Sequence, residues 1–262
     1  MKKVAICIPA FSNPQNIDYC IESVIKSNNN FFNIEILLYN NSNKTKIIET
    51  CRSVAHDYEF IKFFDYRINL GCSRTWNESI EHVYRYSSDY ETLIIINDDI
   101  FFNDNSFIKF VKFVLDNQNI PIIVGPNETY NGFSVFAYNK IAYDLFGYFD
   151  ENIYPANFED SDFANRVVLF GYKIPVYEMN ITHIRNEGLK NNPSDLFYNV
   201  YLPKIRYYYN LKWNNPDITS GLNPQYKYPF NDESYGYKIT LADRKKPYIK
   251  YANLLDQIYP NS

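Results

Sequence analysis

Short apolar runs alternate with helix-period stripes through the first half of the chain. Residues 4–8 (VAICI) form a continuous apolar run stopped by Pro9. Asn13-Pro14 then opens a segment in which Ile17, Ile21, Val24 and Ile25 recur at i, i+4, i+7 and i+8. Residues 34–39 (IEILLY) end in Asn40-Asn41-Ser42-Asn43, and a stripe of Ile47, Cys51 and Val54 follows. Residues 61–64 precede the turn Asn69-Leu70-Gly71 and the stripe Trp76, Ile80, Val83, Tyr84. Residues 93–96 precede Asn97-Asp98-Asp99 and a face of Phe107, Phe110, Val111 and Val114. Each unit predicts a strand, a loop and a helix. Strands that are apolar at every residue are covered on both faces, so the pattern predicts an α/β fold, a Rossmann-like open and mostly parallel sheet flanked by helices. Ligands bind such sheets beyond the carboxyl ends of the strands, and the polar clusters at 9–13, 40–43, 69–73 and 97–99 fall there.

The alternation weakens after about residue 120. Residues 122–125 (IIVG), 133–138 (FSVFAY) and 172–177 (YKIPVY) read as further strands, and a short helix is expected near 140–146. Phe163, Val167 and Phe170 give the segment after Glu159 a helical face. Beyond Lys190 the chain changes in kind, since this stretch holds more than half of the 13 prolines and one plausible helix at 196–213. The expected organisation is a catalytic-size domain at 1–190 and a Tyr/Pro-rich extension at 191–262 packed on it. The extension's Tyr207-Tyr208-Tyr209 and Trp213 read first as packing residues, with an acceptor platform, a membrane-facing edge or a dimer contact as other roles.

Composition narrows the function classes. A chain of 262 residues with 46% hydrophobic content can bury one substantial core. Its net charge of -4 offers no general attraction to nucleic acid or anionic lipid. No run approaches the roughly 18 apolar residues of a membrane span, and the N-terminal apolar run is too short for a signal peptide. The expectation is a soluble, cytoplasmic protein, with room left for a peripheral membrane contact. The cysteines, Cys7, Cys20, Cys51 and Cys72, include no C-x-x-C pair and read as buried reduced thiols. With only 8 glycines and no Walker, G-x-G-x-x-G, G-x-S-x-G or H-E-x-x-H motif, the common phosphate loops and hydrolase elbows are excluded.

Four features could carry chemistry, and each has a bland reading beside the functional one. Asn97-Asp98-Asp99 offers hard oxygen ligands for Mg²⁺ or Mn²⁺ at a strand end, or is a solvated turn. Glu159-Asp160-Ser161-Asp162 opens a helix, where acids cap the first turn or supply a general base. His183 stands at the end of a strand as a structural residue or a metal ligand. Arg74 is a phosphate contact or a surface arginine.

In order and spacing, several stretches resemble nucleotide-sugar glycosyltransferases of the GT-A fold, in particular the family 2 group that includes rhamnosyl- and galactofuranosyl-transferases. IPAFSN resembles the first strand and loop of that family, IEILLYNNSNKT its second strand, NLGCSRTWNESI an N-x-G-x-x-x-x-x-N-x-x-I segment, and LIIINDD the D-x-D segment. FGYFDENIYPANFEDSDFANRVVLFGYKI resembles G-x-F-D-E followed by E-D-x-D and a helix, and is the most specific match. The resemblance covers roughly residues 4–184. It implies that Asp160 is the catalytic base and that Asp99 and His183 bind a divalent metal, Mn²⁺ or Mg²⁺. It also implies that Pro9, Ala10, Phe11, Asn40, Asn69, Gly71, Arg74, Asn77, Asn97 and Asp98 surround the nucleotide sugar, with Asp98 facing the ribose or the loop backbone. Two departures stand out. Asn40 and Asn97 are amides where the family commonly has carboxylates, and Trp76 stands where many members have an arginine, a place Arg74 could fill.

The activity implied is metal-assisted, inverting transfer of a sugar from a nucleoside-diphosphate-sugar donor to a hydroxyl of a glycan or glycoconjugate acceptor. A nucleotidyltransferase that makes sugar nucleotides is the alternative enzyme class, although its usual Gly-rich, basic N-terminal loop is absent from CIPAFSNPQ. A non-catalytic nucleotide-sugar-binding module is the alternative outside catalysis, and the acids at 99 and 160 argue against it.

Overall fold

A computed structural model describes residues 3–11, 13–126, 133–169, 171–184 and 197–213. Its centre is a six-stranded sheet formed by β1 (Lys3–Ala10), β2 (Ile34–Asn40), β3 (Ile61–Asp65), β4 (Tyr90–Ile96), β6 (Ile122–Val124) and β7 (Val135–Tyr138), in the order β3-β2-β1-β4-β7-β6. The first four strands in that order are parallel, and β7 runs antiparallel to both β4 and β6. A second, two-stranded ladder pairs β5 (Ile100–Phe102) with β8 (Ile181–His183).

The continuous apolar runs are explained by a core on each side of the sheet. Ile6, Ile8, Ile36, Leu38, Ile94 and Ile96 point to one face, where α1 (Pro14–Asn28), α2 (Thr45–Asp57) and α4 (Ser106–Asp116) lie. Ala5, Cys7, Leu37, Tyr39, Leu93 and Ile95 point to the other, which is covered by α3 (Cys72–Tyr84), α5 (Lys140–Phe146) and α6 (Glu159–Leu169). Because successive side chains of a strand alternate sides, two buried faces require two apolar sets in one run. Helix α1 starts where the sequence predicts. The Asn13 side chain accepts from Asn16 N at 2.9 Å and Pro14 occupies the first turn, where no N–H is needed. The four cysteines are free, and burial pushes the Cys7 and Cys51 thiols up to about 12, so both stay protonated.

Two expectations are corrected and a third is refined. β1 continues through Pro9 to Ala10 because its pairing with β4 ends at Cys7, so Pro9 stands where one edge is open and the missing N–H breaks no ladder on that side. Residues 172–177 form no strand, only an isolated bridge between Val124 and Val176, and Pro175 lies within the segment. The ordered strand comes later, at β8. The tail helix begins as a π-helical turn at Phe197–Tyr201 and continues as α7 (Leu202–Trp213), with Pro203 in its first turn. α7 packs on the body of the protein through buried Ile205, Tyr208, Tyr209 and Trp213. The expected boundary at residue 190 and the extension beyond 213 lie outside the described residues. Among the described residues, no helix is long and apolar enough to cross a membrane.

Candidate active site

Parallel strands all present their carboxyl ends at one rim, and most of the predicted polar clusters gather there. At the end of β4, Asp98 is buried and its Oδ2 accepts from the backbone N–H of Phe11 at 2.7 Å, so of its two expected partners it meets the loop backbone. This bond ties the end of β1 to the end of β4. Pro9 and Ala10 are buried within β1, and Phe11, 42% exposed, is the one of these three predicted contacts that projects. Asn97 turns the chain through its backbone. Its N–H donates to Ser134 O, and its carbonyl accepts from Ile100 N and the Cys20 thiol.

Asp99 stands at the entrance to β5. The antiparallel register places Ile100 opposite His183, and Ile184 N donates to Asp99 O at 2.9 Å. His183 Nε2 thereby comes to 3.4 Å from Asp99 Oδ2. Asp99 Oδ1 is buried with no hydrogen-bond partner among the described residues. A buried, unpartnered carboxylate oxygen beside an imidazole suits a divalent cation such as Mn²⁺, which accepts both oxygen and nitrogen ligands. Among the described residues, no cluster of three or more His, Cys, Asp or Glu side chains could hold such an ion alone. The pair therefore fits a cation whose remaining positions are filled by substrate oxygens and water.

A second acidic group occupies the first turn of α6. Glu159 is buried, and its Oε2 has no hydrogen-bond partner among the described residues. Burial, and then the charge of Asp160, push its carboxyl well above the usual range. Burial also raises Asp160, against the opposing effect of hydrogen bonds from the Ser161 backbone N–H at 2.6 Å and the Ser161 hydroxyl at 3.3 Å. Cys72, the first residue of α3, feels the charges of both acidic groups. Burial, followed by the charges of Glu159, Asp160 and Asp98, drives its thiol well above the ordinary value. The N-terminus of α3 thus feels the charge of both the strand-end and the helix-start acids.

The turn before α3 is locked against the segment preceding α6. Gly71 has φ of +77°, and a Cβ there would lie 2.8 Å from Pro155 O. Its N–H donates to Asn69 Oδ1, Cys72 N donates to Pro155 O, and the Tyr154 hydroxyl donates to Asn69 O. Glycine is required here both by backbone conformation and by contact.

Other predicted donor contacts are turned inward. Asn40 is fully buried, and its side chain bonds to Ser42 N, Ser42 O and Asp65 Oδ1. The carboxylate at this part of the rim is Asp65 at the end of β3, paired with Arg52 and Arg67. Asn77 is also fully buried. It donates to Phe149 O and Glu151 Oε1 and accepts from Phe149 N, bracing the loop ahead of α6. Arg74 is mostly covered, with Nε 3.9 Å from Glu78 Oε1. The sequence reading named Glu159 only within the acidic helix start and Cys72 only as a buried thiol, and it missed Asp65, which its strand-end position signalled.

The solved structures most informative for comparison share this architecture. GalNAc-T7 with UDP, GalNAc and Mn²⁺ superposes with a TM-score of 0.62 at 15% identity, covering 82% of this chain and 49% of that one. The mannosyltransferase PcManGT from Pyrobaculum calidifontis, in complex with GDP-Man and Mn²⁺, gives 0.56 at 11% identity over 100% of this chain and 88% of that one. S. aureus TarS gives 0.54 at 11% identity, covering 92% of this chain and 46% of that one, so this chain spans about half the length of two of the three. The fold is that of the GT-A glycosyltransferases. The chain belongs to glycosyl transferase family 2, whose sequence profile matches residues 5–172. No curated protein matches it in sequence.

Proposed function

We propose that this protein transfers a sugar, with inversion, from a nucleoside-diphosphate sugar to a hydroxyl of a glycan or glycoconjugate. The observation that carries this reading is the Asp99–His183 pair at the end of β4, with its buried, unpartnered carboxylate oxygen; Glu159-Asp160 in the first turn of α6 supply the second acidic group. Two of the structural neighbours hold a nucleotide or nucleotide sugar together with Mn²⁺, which supports the same use of this rim. The donor lies along the ends of β1 and β4, where Asp98 fixes the Phe11 loop that borders it. Asp99 and His183 hold the divalent cation, which would supply positive charge opposite the departing diphosphate.

Asp160 takes the proton of the acceptor hydroxyl as that oxygen attacks the anomeric carbon from the face opposite the leaving group. Its oxygen Oδ1 is held by Ser161, which fixes the carboxylate's orientation. Its raised proton affinity makes it a stronger base than an exposed aspartate, as proton abstraction from an alcohol requires. Burial and the charge of Asp160 raise the Glu159 carboxyl, which disfavours a second negative charge beside the base.

The test is a panel of UDP-, GDP- and dTDP-sugars incubated with Mn²⁺ and candidate acceptors. Release of nucleoside diphosphate that accelerates with acceptor is the expected result. Release of pyrophosphate from a nucleoside triphosphate and a sugar phosphate would mark a nucleotidyltransferase, and binding without turnover would mark a non-catalytic module.

A further inference from the structure

Behind the Glu159-Asp160 turn lies a buried network of charges that the proposed chemistry does not use. Asp162, two residues after Asp160, is fully buried. Its Oδ1 accepts from Lys212 Nζ at 2.6 Å and Trp213 Nε1 at 2.9 Å, and its Oδ2 accepts from Arg166 at 3.0 Å. Lys212 also reaches Asp150 Oδ2 at 2.8 Å, where the Tyr208 hydroxyl donates at 2.5 Å. Burial pulls the Asp150 carboxyl up, but the Lys212 charge and these hydrogen bonds outweigh it and hold the group below the usual range. One lysine thus bridges the loop before α6 and the first turn of α6 itself.

Further contacts from the same helix converge on that turn. Asn165 donates to the Tyr209 hydroxyl at 2.8 Å, and the Tyr209 ring packs 5.0 Å from that of Phe158, the residue immediately before Glu159. Phe158 has φ of +73°, a left-handed conformation uncommon for a bulky side chain, and its carbonyl accepts from Asp162 N at 2.8 Å. All these α7 residues lie outside the 5–172 span of the family match.

We infer that Lys212, with Trp213, is a positioning residue of the active site: by gripping Asp162 from behind, α7 fixes the turn that carries Asp160. The inference rests on Asp160 being the base. A buried cation between two buried carboxylates is strongly directional: without it Asp150 would lose its countercharge, and Asp162 would be held only by Arg166, on its own helix, and Trp213. Loosening the grip lets the turn that carries Asp160 shift by a fraction of its length, and misplacements of about 1 Å cost on the order of 10²-fold in rate. The bonds of this network run between α7, α6 and the loop before α6.

The test compares Lys212→Met, Trp213→Phe and Asp160→Asn with the wild type, measuring kcat, thermal unfolding, and the affinity and stoichiometry of binding for UDP, GDP or dTDP with Mn²⁺, whichever the wild type binds most tightly. Lys212→Met is expected to lower kcat on the order of 10²-fold while nucleotide affinity stays within about twofold and binding stoichiometry stays full. Trp213→Phe keeps an aromatic ring, removes one N–H, and is expected to lower kcat about fivefold. Wild-type kcat in folded Lys212→Met overturns the inference, as does wild-type kcat in Trp213→Phe should the lysine variant fail to fold. A fall in kcat that only tracks lost binding stoichiometry overturns it too, since that reports unfolding. If Asp160→Asn itself retains turnover, the assignment of the base fails; if Asp160→Asn is inactive while Lys212→Met is not, only the role of Lys212 fails.

Discussion

The two acidic groups of the proposed site are held by different means. On the proposed donor side, position comes from the backbone. β1 and β4 pair in parallel, the Phe11 N–H clamps Asp98, and the β5-β8 ladder delivers His183 to Asp99. On the proposed base side, position comes from side chains: Lys212 and Trp213 grip Asp162 of α6, its own Arg166 ties it to Tyr148 O, and Asn77 braces the loop ahead of it, all through buried polar bonds. A sheet edge tolerates a polar substitution at its rim because its geometry is set by the ladder. A side-chain network does not, because each member leaves its partner buried and unsatisfied.

The sharpest way to break the comparison is at the two acids themselves. Asp160→Asn is expected to lower transfer by about 10² to 10⁴-fold while nucleotide affinity measured by calorimetry is kept. Asp99→Ala should do the reverse at the level of binding. Mn²⁺-dependent nucleotide affinity falls on the order of 10²-fold, and affinity without Mn²⁺ is little changed. If Asp99→Ala bound the nucleotide normally with Mn²⁺, the donor side would need another account.

Smaller effects sharpen the same contrast. Asn77→Ala leaves the Phe149 N–H and C=O buried without partners and is expected to cost about 2 to 4 kcal/mol in denaturant unfolding. The pH dependence follows from Glu159, whose folded carboxyl holds its proton more tightly than the ordinary value of 4.5. Its contribution to stability is therefore complete below that value and is lost as pH rises through the folded one. Glu159→Gln removes this loss, so its unfolding free energy should decline less between pH 4.5 and neutrality than that of the wild type. Likewise, the acid limb of kcat should lie above the ordinary aspartate value of 3.8, because Asp160 is raised.

The sheet was legible in the sequence because burial on both faces leaves a local mark, an unbroken apolar run, and helix starts such as Asn13-Pro14 leave another. Strand-end acids were legible for the same reason, since they interrupt such runs. What was not legible depends on distant partners. Nothing local distinguishes Asn40 and Asn77, whose amides turn inward, from amides that face a ligand. Lys212 sits in a tyrosine-rich segment with no periodic signal, and only the fold brings it to Asp162. The strand expected at 172–177 was misplaced because its apolar residues pack on the core without a ladder, whereas β8 is short and half-polar but has β5 to pair with.

The β5-β8 ladder also orders events during synthesis. Asp99 and the strand ends around it leave the ribosome long before His183, so a growing chain can assemble the sheet while the proposed cation site still lacks its imidazole. Tight cation capture then becomes possible only when β8 has been made and has closed on β5. The bound ion would act as a late lock, adding its binding free energy to a chain whose ladder is already shut.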